Sequence, residues 1–114
     1  MVLVVDDNVD AAQLLAMVFE NLGYEVLVEH DPHSALRVAA GRMPDVCILD
    51  IGLPDMDGNE LARRLRAQPG TERALLIAVT GYGRPRDRER ALEAGFDHHL
   101  VKPVDLRRLI ELLN

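Results

Sequence analysis

The residues of this sequence that are best suited to chemistry are carboxylates placed directly after short apolar runs. Asp6 and Asp7 follow the apolar run 2–5, and Asp50 follows the apolar run 46–49. Four apolar residues in a row are too few for a buried helix and are typical of a strand inside a parallel sheet. Carboxylates that meet at the ends of such strands disfavour each other's ionisation unless a cation lies between them. Because hard divalent ions prefer oxygen ligands, the pattern predicts a Mg²⁺ site, which Mn²⁺ could also occupy.

A hydroxyl group and an ammonium group stand in equivalent places later in the chain. Thr80 follows the apolar run 75–79, and Lys102 follows the short run 98–101. These two side chains supply the hydrogen-bond donor and the positive charge that an anion needs. A metal ion, a carboxylate, a hydroxyl and a lysine together describe a phosphoryl-transfer site, in which Asp50 is the candidate nucleophile.

Each of these residues also has an ordinary structural explanation. An acid pair after a strand usually caps a helix, and Asp50 alone could form an Asx turn. Thr80 could satisfy a backbone group at a strand end, and Lys102 could be a surface lysine. The shared position at the ends of buried strands favours the functional interpretation, since four independent coincidences of this kind are improbable.

The elements that would position these side chains are five short apolar strands alternating with five helices. The strands begin near residues 2, 26, 46, 75 and 98. Capping residues and glycines mark the helices between them: Asn8, Asp31–Pro32, Asp57 with Glu60, Pro85 and Asp105 at the starts, and Gly23, Gly41 and Gly95 at the ends. This alternation predicts a three-layer α/β fold of the (βα)5 flavodoxin-like type, with a parallel five-stranded sheet in the order 2-1-3-4-5.

Composition limits the alternatives. The 114 residues are enough for one domain, 1–114, and the net charge of −6 argues against direct nucleic-acid binding. The single Cys47 permits no internal disulfide and suits a reducing compartment. We find neither a run long enough to insert into a membrane nor a signal peptide, so a cytoplasmic location is expected. The chain opens directly on a strand and closes on a helix, as expected for a domain cut from a longer protein.

Five segments together resemble the receiver domain of two-component response regulators, over essentially the whole length. They are residues 4–8 (VVDDN), 50–58 (DIGLPDMDG), 80–81 (TG), 94–96 (AGF) and 102–103 (KP). The resemblance implies that Asp50 accepts a phosphoryl group from a phosphohistidine. The donor would be a histidine kinase or a histidine phosphotransfer domain, and the signal would pass to an output domain or protein that the sequence does not identify. The segment 80–83 (TGYG) resembles receivers of hybrid sensor kinases, and a stand-alone single-domain regulator is the alternative.

The resemblance also assigns roles to the neighbours of Asp50. Asp7 would ligate Mg²⁺ directly, Asp6 mainly through water, and Gly52 through its backbone carbonyl. Lys102 would pair with the carboxylate and then with the phosphoryl oxygens, and its peptide bond to Pro103 is expected to be cis.

A switch is implied as well. Thr80 would move toward the phosphoryl group, followed by an aromatic residue three positions before Lys102. That position holds His99 here, where tyrosine or phenylalanine is commoner. His99 could therefore be the switch residue, a pH-sensitive side chain, or a strand histidine with no switching role. The face formed by residues 84–94 and 99–113 would then change most, while Gly52 and Tyr82 would flank the route of attacking water.

Two other classes of function remain open. An aspartate-nucleophile phosphatase would generally carry a second aspartate two residues after the nucleophile, where this chain has Gly52. A flavin-binding module of the same fold would need a phosphate-cradling loop after the first strand, where this chain has Asp6 and Asp7. The expected protein is a signalling switch that catalyses only its own phosphorylation and dephosphorylation, and not an enzyme.

Overall fold

The computed structural model describes residues 1–53, 55–81 and 83–113. Strands and helices alternate along them: β1 (Val2–Val5), α1 (Val9–Asn21), β2 (Val26–Glu29), α2 (Pro32–Arg42), β3 (Val46–Asp50), α3 (Gly58–Ala67), β4 (Leu75–Thr80), α4 (Pro85–Ala94), β5 (His98–Val101) and α5 (Leu106–Leu113). The strands form one parallel sheet in the order β2-β1-β3-β4-β5. The fold predicted from the sequence is confirmed.

Helices cover both faces of the sheet because consecutive strand residues point to opposite faces. One face of β1 and β3, including Leu3 and Leu49, packs against α2, α3 and α4. The other face, including Val4 and Ile48, packs against α1 and α5. Cys47 lies fully buried on the α3 side, and this burial raises the pKa of its thiol to about 12.

Side chains cap four of the helices, as the sequence predicts. Asn8, Asp31 and Asp57 each accept a hydrogen bond from the backbone N–H three residues later. Asp105 accepts from the N–H groups of residues 107 and 108 at the start of α5. Helix α4 differs, since Arg84 at its N-cap position makes no side-chain capping bond. Its start depends on Pro85, whose backbone geometry is already helical.

Three local predictions need correction. Helix α2 does not end at Gly41 but continues to Arg42, and Met43 ends it in a left-handed conformation. The sequence places Leu92 with Ala91 and Ala94 on the apolar face of α4, but Leu92 is 44% exposed, because the sheet-facing side of this short helix is formed by alanines. The helical spacing of Leu106, Leu109, Ile110 and Leu113 predicts one apolar face of α5, but Leu106 is exposed, since it lines an open groove between α5 and α1.

None of the helices in the described ranges combines the length and the apolar character that crossing a bilayer requires.

Candidate functional site

Three carboxylates converge at the carboxyl edge of the sheet. Because β1 and β3 are paired in register from Val2 with Val46 to Val5 with Leu49, Asp6 and Asp50 end adjacent strands. One ligand atom from each of Asp6, Asp7 and Asp50 lies within 4.8 Å of the other two. Asp6 and Asp50 are 5% and 8% exposed, whereas Asp7 faces solvent.

The charge in this cluster is only partly compensated. The Lys102 ammonium lies 3.4 Å from Asp50 Oδ2 and 3.7 Å from Asp6 Oδ2. Burial raises the pKa of the Asp6 carboxyl above its ordinary value, and the negative charge of Asp50 adds to the rise. The Asn8 N–H and the Lys102 ammonium oppose it. Three carboxylates facing one ammonium leave excess negative charge, and their hard oxygen atoms suit Mg²⁺.

The ends of β4 and β5 place the other two predicted residues, Thr80 and Lys102, at the same edge of the sheet as the acids. Thr80 is buried and follows Val79, which is the sheet partner of Asp50. The backbone N–H of Lys102 donates to the Thr80 carbonyl over 2.7 Å, so the ends of the two strands are tied together. The Lys102–Pro103 peptide bond is cis, as expected.

The loop after β3 fixes the direction of the Asp50 side chain. The Gly52 N–H donates to Asp50 Oδ1 over 3.0 Å. Gly58 lets α3 begin directly against the strand end, since a Cβ atom there would lie 2.7 Å from the Ile51 Cα. Asp55, with φ of 67°, forms part of the turn, and Asp57 caps α3, as the sequence predicts. Neither contributes to the acidic cluster.

His99, the predicted switch residue, lies on β5 below α4. It lines a cavity of about 520 Å³ together with Arg88, Leu92 and Val101. Its Nε2 atom is buried without a hydrogen-bond partner among the described residues. Burial lowers the pKa of this imidazole, and Arg88 adds to the decrease while Asp87 opposes it. Tyr82 and Pro54, which belong to the predicted motifs, lie outside the described residues.

Sequence reasoning missed two residues that shape the site. His30 directly follows β2, and its Nδ1 atom lies 2.9 Å from the backbone oxygen of Asp6. Gly58 belongs in the sequence to the turn-rich segment after the third strand, but a Cβ atom there would collide with the backbone at the end of β3. Both could have been found: a polar residue after β2 occupies the same edge as the acids, and a glycine at the first position of a helix needs a steric reason.

Comparison with known proteins agrees with this geometry. The sequence pattern of the response regulator receiver domain matches residues 2–114. An uncharacterized 14.6 kDa protein of Leptolyngbya boryana, from the sodA1 3' region, is 40% identical over 98% of this chain and 86% of its own length. The phosphate regulon transcriptional regulatory protein PhoB of Pseudomonas aeruginosa is 35% identical over 98% of this chain. The match covers 49% of PhoB, so the chain spans about half of that relative.

A solved structure extends the similarity to three dimensions. The receiver domain of the sensor histidine kinase PA1611 from Pseudomonas aeruginosa PAO1 superposes with a TM-score of 0.88 and is 33% identical. The superposition covers 98% of this chain and 92% of that domain, which holds a magnesium ion in its active-site cleft. With its parallel sheet, its acidic cluster and a family match over residues 2–114, this chain belongs to the response regulator receiver domains, which are signalling modules of two-component systems.

Proposed function

We propose that Asp50 accepts a phosphoryl group from a phosphohistidine donor. The observation that carries this proposal is the position of its carboxylate, which shares the sheet edge with two further acids and lies 3.4 Å from the Lys102 ammonium. A carboxylate so placed combines a nucleophilic oxygen with the means to neutralise an incoming phosphoryl group. Phosphoryl transfer depends on positioning and charge neutralisation more than on a strong acid or base.

The residues that would hold the metal ion are Asp6, Asp7 and Asp50, together with the backbone carbonyl of Gly52. Support comes from their hard oxygen atoms, from the uncompensated charge of the cluster, and from the magnesium in the related PA1611 domain. A bound Mg²⁺ would neutralise charge on the phosphoryl oxygens. Mn²⁺ accepts the same ligands and should substitute.

Each side chain of the site then has a defined task. The Gly52 N–H orients Asp50 through Oδ1, and one carboxylate oxygen forms a bond to phosphorus as the phosphorus–nitrogen bond of the donor breaks. Lys102, already beside the carboxylate, pairs with the phosphoryl oxygens. Thr80 moves toward the phosphoryl group and donates a hydrogen bond from its hydroxyl to a phosphoryl oxygen. Its backbone hydrogen bond with Lys102 would carry this movement to β5.

We further propose that residues 1–114 act as one receiver domain that catalyses only its own phosphorylation and dephosphorylation. A protein donor, either a histidine kinase or a phosphotransfer domain, is favoured by an apolar groove of about 340 Å³ beside Asp6 and Lys102, with Leu14 and Leu106 along it. PhoB is roughly twice as long as this chain and PA1611 is a sensor kinase, so an output or kinase portion of a parent protein is the expected recipient of the signal.

The face that would change on phosphorylation comprises residues 84–94 and 99–113. The cavity beside His99 and the exposure of Leu92 support a weakly packed region there. Amide exchange should slow in these segments when beryllofluoride, a phosphoryl mimic, is added with Mg²⁺. Unchanged protection would contradict this part of the proposal.

No observation favours the two alternative functions. A phosphatase of the aspartate-nucleophile class would need an acid where Gly52 stands. A flavin phosphate would meet the carboxylates of Asp6 and Asp7 at the end of β1, and these would repel it.

Incubation with acetyl phosphate tests the proposal. Intact mass should show one added phosphoryl group in the presence of Mg²⁺ and none when the metal is chelated. Asp50→Asn should abolish the modification, whereas Asp55→Asn, an equivalent change in the adjacent exposed turn, should leave it intact. Modification that persists in Asp50→Asn, or that needs no metal, would refute the assignment.

A further inference from the structure

The backbone of Asp6 is held from the side of β2 by two different kinds of hydrogen bond. Its N–H donates to the Glu29 carbonyl over 3.1 Å, which is an ordinary bond of the parallel ladder. Its carbonyl lies 2.9 Å from Nδ1 of the His30 ring. Because a carbonyl oxygen only accepts, Nδ1 carries the proton and donates it.

The imidazole occupies a place that the sheet itself leaves empty. In a parallel ladder, a residue that donates to one position of its neighbour accepts from the position two residues further on. For Asp6 that position is Asp31, but β2 ends at Glu29 and Asp31 is already the N-cap of α2. The Asp6 carbonyl, directly after β1, would lack a ladder donor, and His30 supplies one from its side chain. A partly buried carbonyl without a donor is unfavourable, so the ring has a strong preference for this position.

This bond acts on the peptide plane that joins the first two acids of the cluster. The carbonyl of Asp6 and the N–H of Asp7 belong to one rigid planar unit. Holding the carbonyl therefore fixes the rotation of the plane and, with it, the direction in which Asp7 leaves the backbone. The Asp7 side chain is exposed, so this direction depends on its backbone more than on packing. The Asp6 carboxylate is fixed separately by the Asn8 N–H, which donates to Oδ1 over 2.9 Å.

We infer that His30 is a positioning residue of the metal site. Its ring N–H orients the Asp6–Asp7 peptide so that the Asp7 carboxylate faces the position of the Mg²⁺ ion beside that of Asp6. This inference rests on the proposed function only in taking Mg²⁺ as the ligand of the cluster. His30 itself touches neither the ion nor the phosphoryl group.

Two variants distinguish the effect of the His30 ring N–H from the effect of the ring itself. His30→Phe keeps a planar ring and removes the N–H, whereas His30→Asn loses the ring but places an amide N–H close to the position of Nδ1. His33→Phe is the matched control, because His33 is exposed on the first turn of α2 and makes no bond to β1. Mg²⁺ affinity of the purified chain is measured by calorimetric titration at about pH 8, where an imidazole is ordinarily neutral.

Loss of a hydrogen bond that orients metal ligands commonly lowers metal affinity by about 10- to 100-fold, and an effect through the backbone should lie near the lower end. His30→Phe should therefore raise the dissociation constant for Mg²⁺ by about tenfold. His30→Asn should largely restore the affinity, and His33→Phe should match the unmodified protein. Phosphorylation by acetyl phosphate should slow in His30→Phe at low Mg²⁺ and recover at saturating Mg²⁺.

The inference is overturned if His30→Phe binds Mg²⁺ as the unmodified protein does, or if His30→Asn is impaired as much as His30→Phe. The second result would show that the ring matters for packing and not for its N–H. Should His30→Phe not fold, His30→Ala is assayed instead, and normal Mg²⁺ binding by that variant would overturn the inference equally. An unmodified protein that binds no Mg²⁺ would refute the proposed metal site itself, which is a separate outcome.

Discussion

Helices α3 and α4 have the same length of ten residues and pack on the same face of the sheet, yet they are anchored very differently. Helix α3 buries Leu61 and Leu65, whereas the buried side chains of α4 are two alanines. The start of α3 is capped by Asp57, and the start of α4 has no side-chain cap. Burying a leucine contributes about 1.5–3 kcal/mol and an alanine much less, so α3 is the firmly held helix of the two.

This contrast matches the place of each helix in the proposed function. Helix α3 follows Asp50 and holds the loop that orients its carboxylate, which must stay fixed. Helix α4 follows Thr80 and begins where the response to phosphorylation would start. Elements that rearrange are drawn from the weakly stabilised parts of a fold. The sheet face thus carries a well-anchored helix beside the proposed phosphoacceptor and a weakly anchored helix beside the proposed switch.

Arg66 anchors the end of α4 but not its beginning. This α3 residue donates to the Gly95 carbonyl over 2.9 Å and to the Ala74 carbonyl over 2.6 Å. It also pairs with Asp97 over 2.8 Å. Gly95 ends α4 with φ of 112°, and a Cβ atom there would lie 2.9 Å from the Arg66 side chain. The end of α4 is therefore fastened to α3, while its start beside Thr80 is not capped.

The largest expected difference in stability between the two helices appears when one leucine in each is replaced by alanine. Leu65→Ala should destabilise the protein by about 2–5 kcal/mol, because Leu65 is fully buried and the change leaves a cavity. Leu92→Ala should change stability by less than about 0.5 kcal/mol, since Leu92 is largely exposed and alanine favours helix. Urea denaturation measures both. Equal losses would show that α4 is as well packed as α3.

A smaller difference in the loss of stability is expected between alanine substitutions of two arginines in α3. Arg66→Ala should cost about 2 kcal/mol, because it leaves partly buried backbone carbonyls without a donor. Arg64→Ala removes only an exposed ion pair with Glu60 and should cost less than about 0.5 kcal/mol. The two variants are compared by thermal and urea unfolding. Equal losses of stability in the two variants would contradict the interpretation that Arg66 anchors the end of α4.

The smallest expected effect is the dependence of the protein's stability on pH that arises from His99, which lies beneath α4. Because burial lowers the pKa of His99 below its ordinary 6.5, the unfolded chain takes up a proton first as the pH falls. The free energy of unfolding is therefore unaffected by the titration of His99 above about pH 6.5 and falls progressively below that pH. His99→Phe should flatten this decline in unfolding free energy, whereas His33→Phe should not. A decline of the same slope in both variants would exclude His99 as its source.

The sequence was sufficient for the strand order and for the convergence of Asp6, Asp50 and Lys102, because parallel strands bring all their carboxyl ends to one edge. It was insufficient where the outcome depends on which way a helix turns its residues. Leu92 follows the buried Ala91 by one position, about 100° around the helix, and this rotation takes it off the sheet. His30 escaped notice because its role is a hydrogen bond to a backbone carbonyl, which no pattern of residue types along the chain indicates.

The burial of Cys47 gives the protein an internal chemical reporter. The chain has one cysteine, it stands on β3 three residues before Asp50, and burial raises the pKa of its thiol to about 12. A thiol reagent can react only after the packing of the helices over this strand has opened enough to expose the sulfur. The labelling rate of unmodified protein therefore measures how often the core beside the proposed phosphoacceptor opens, with no tag or substitution introduced.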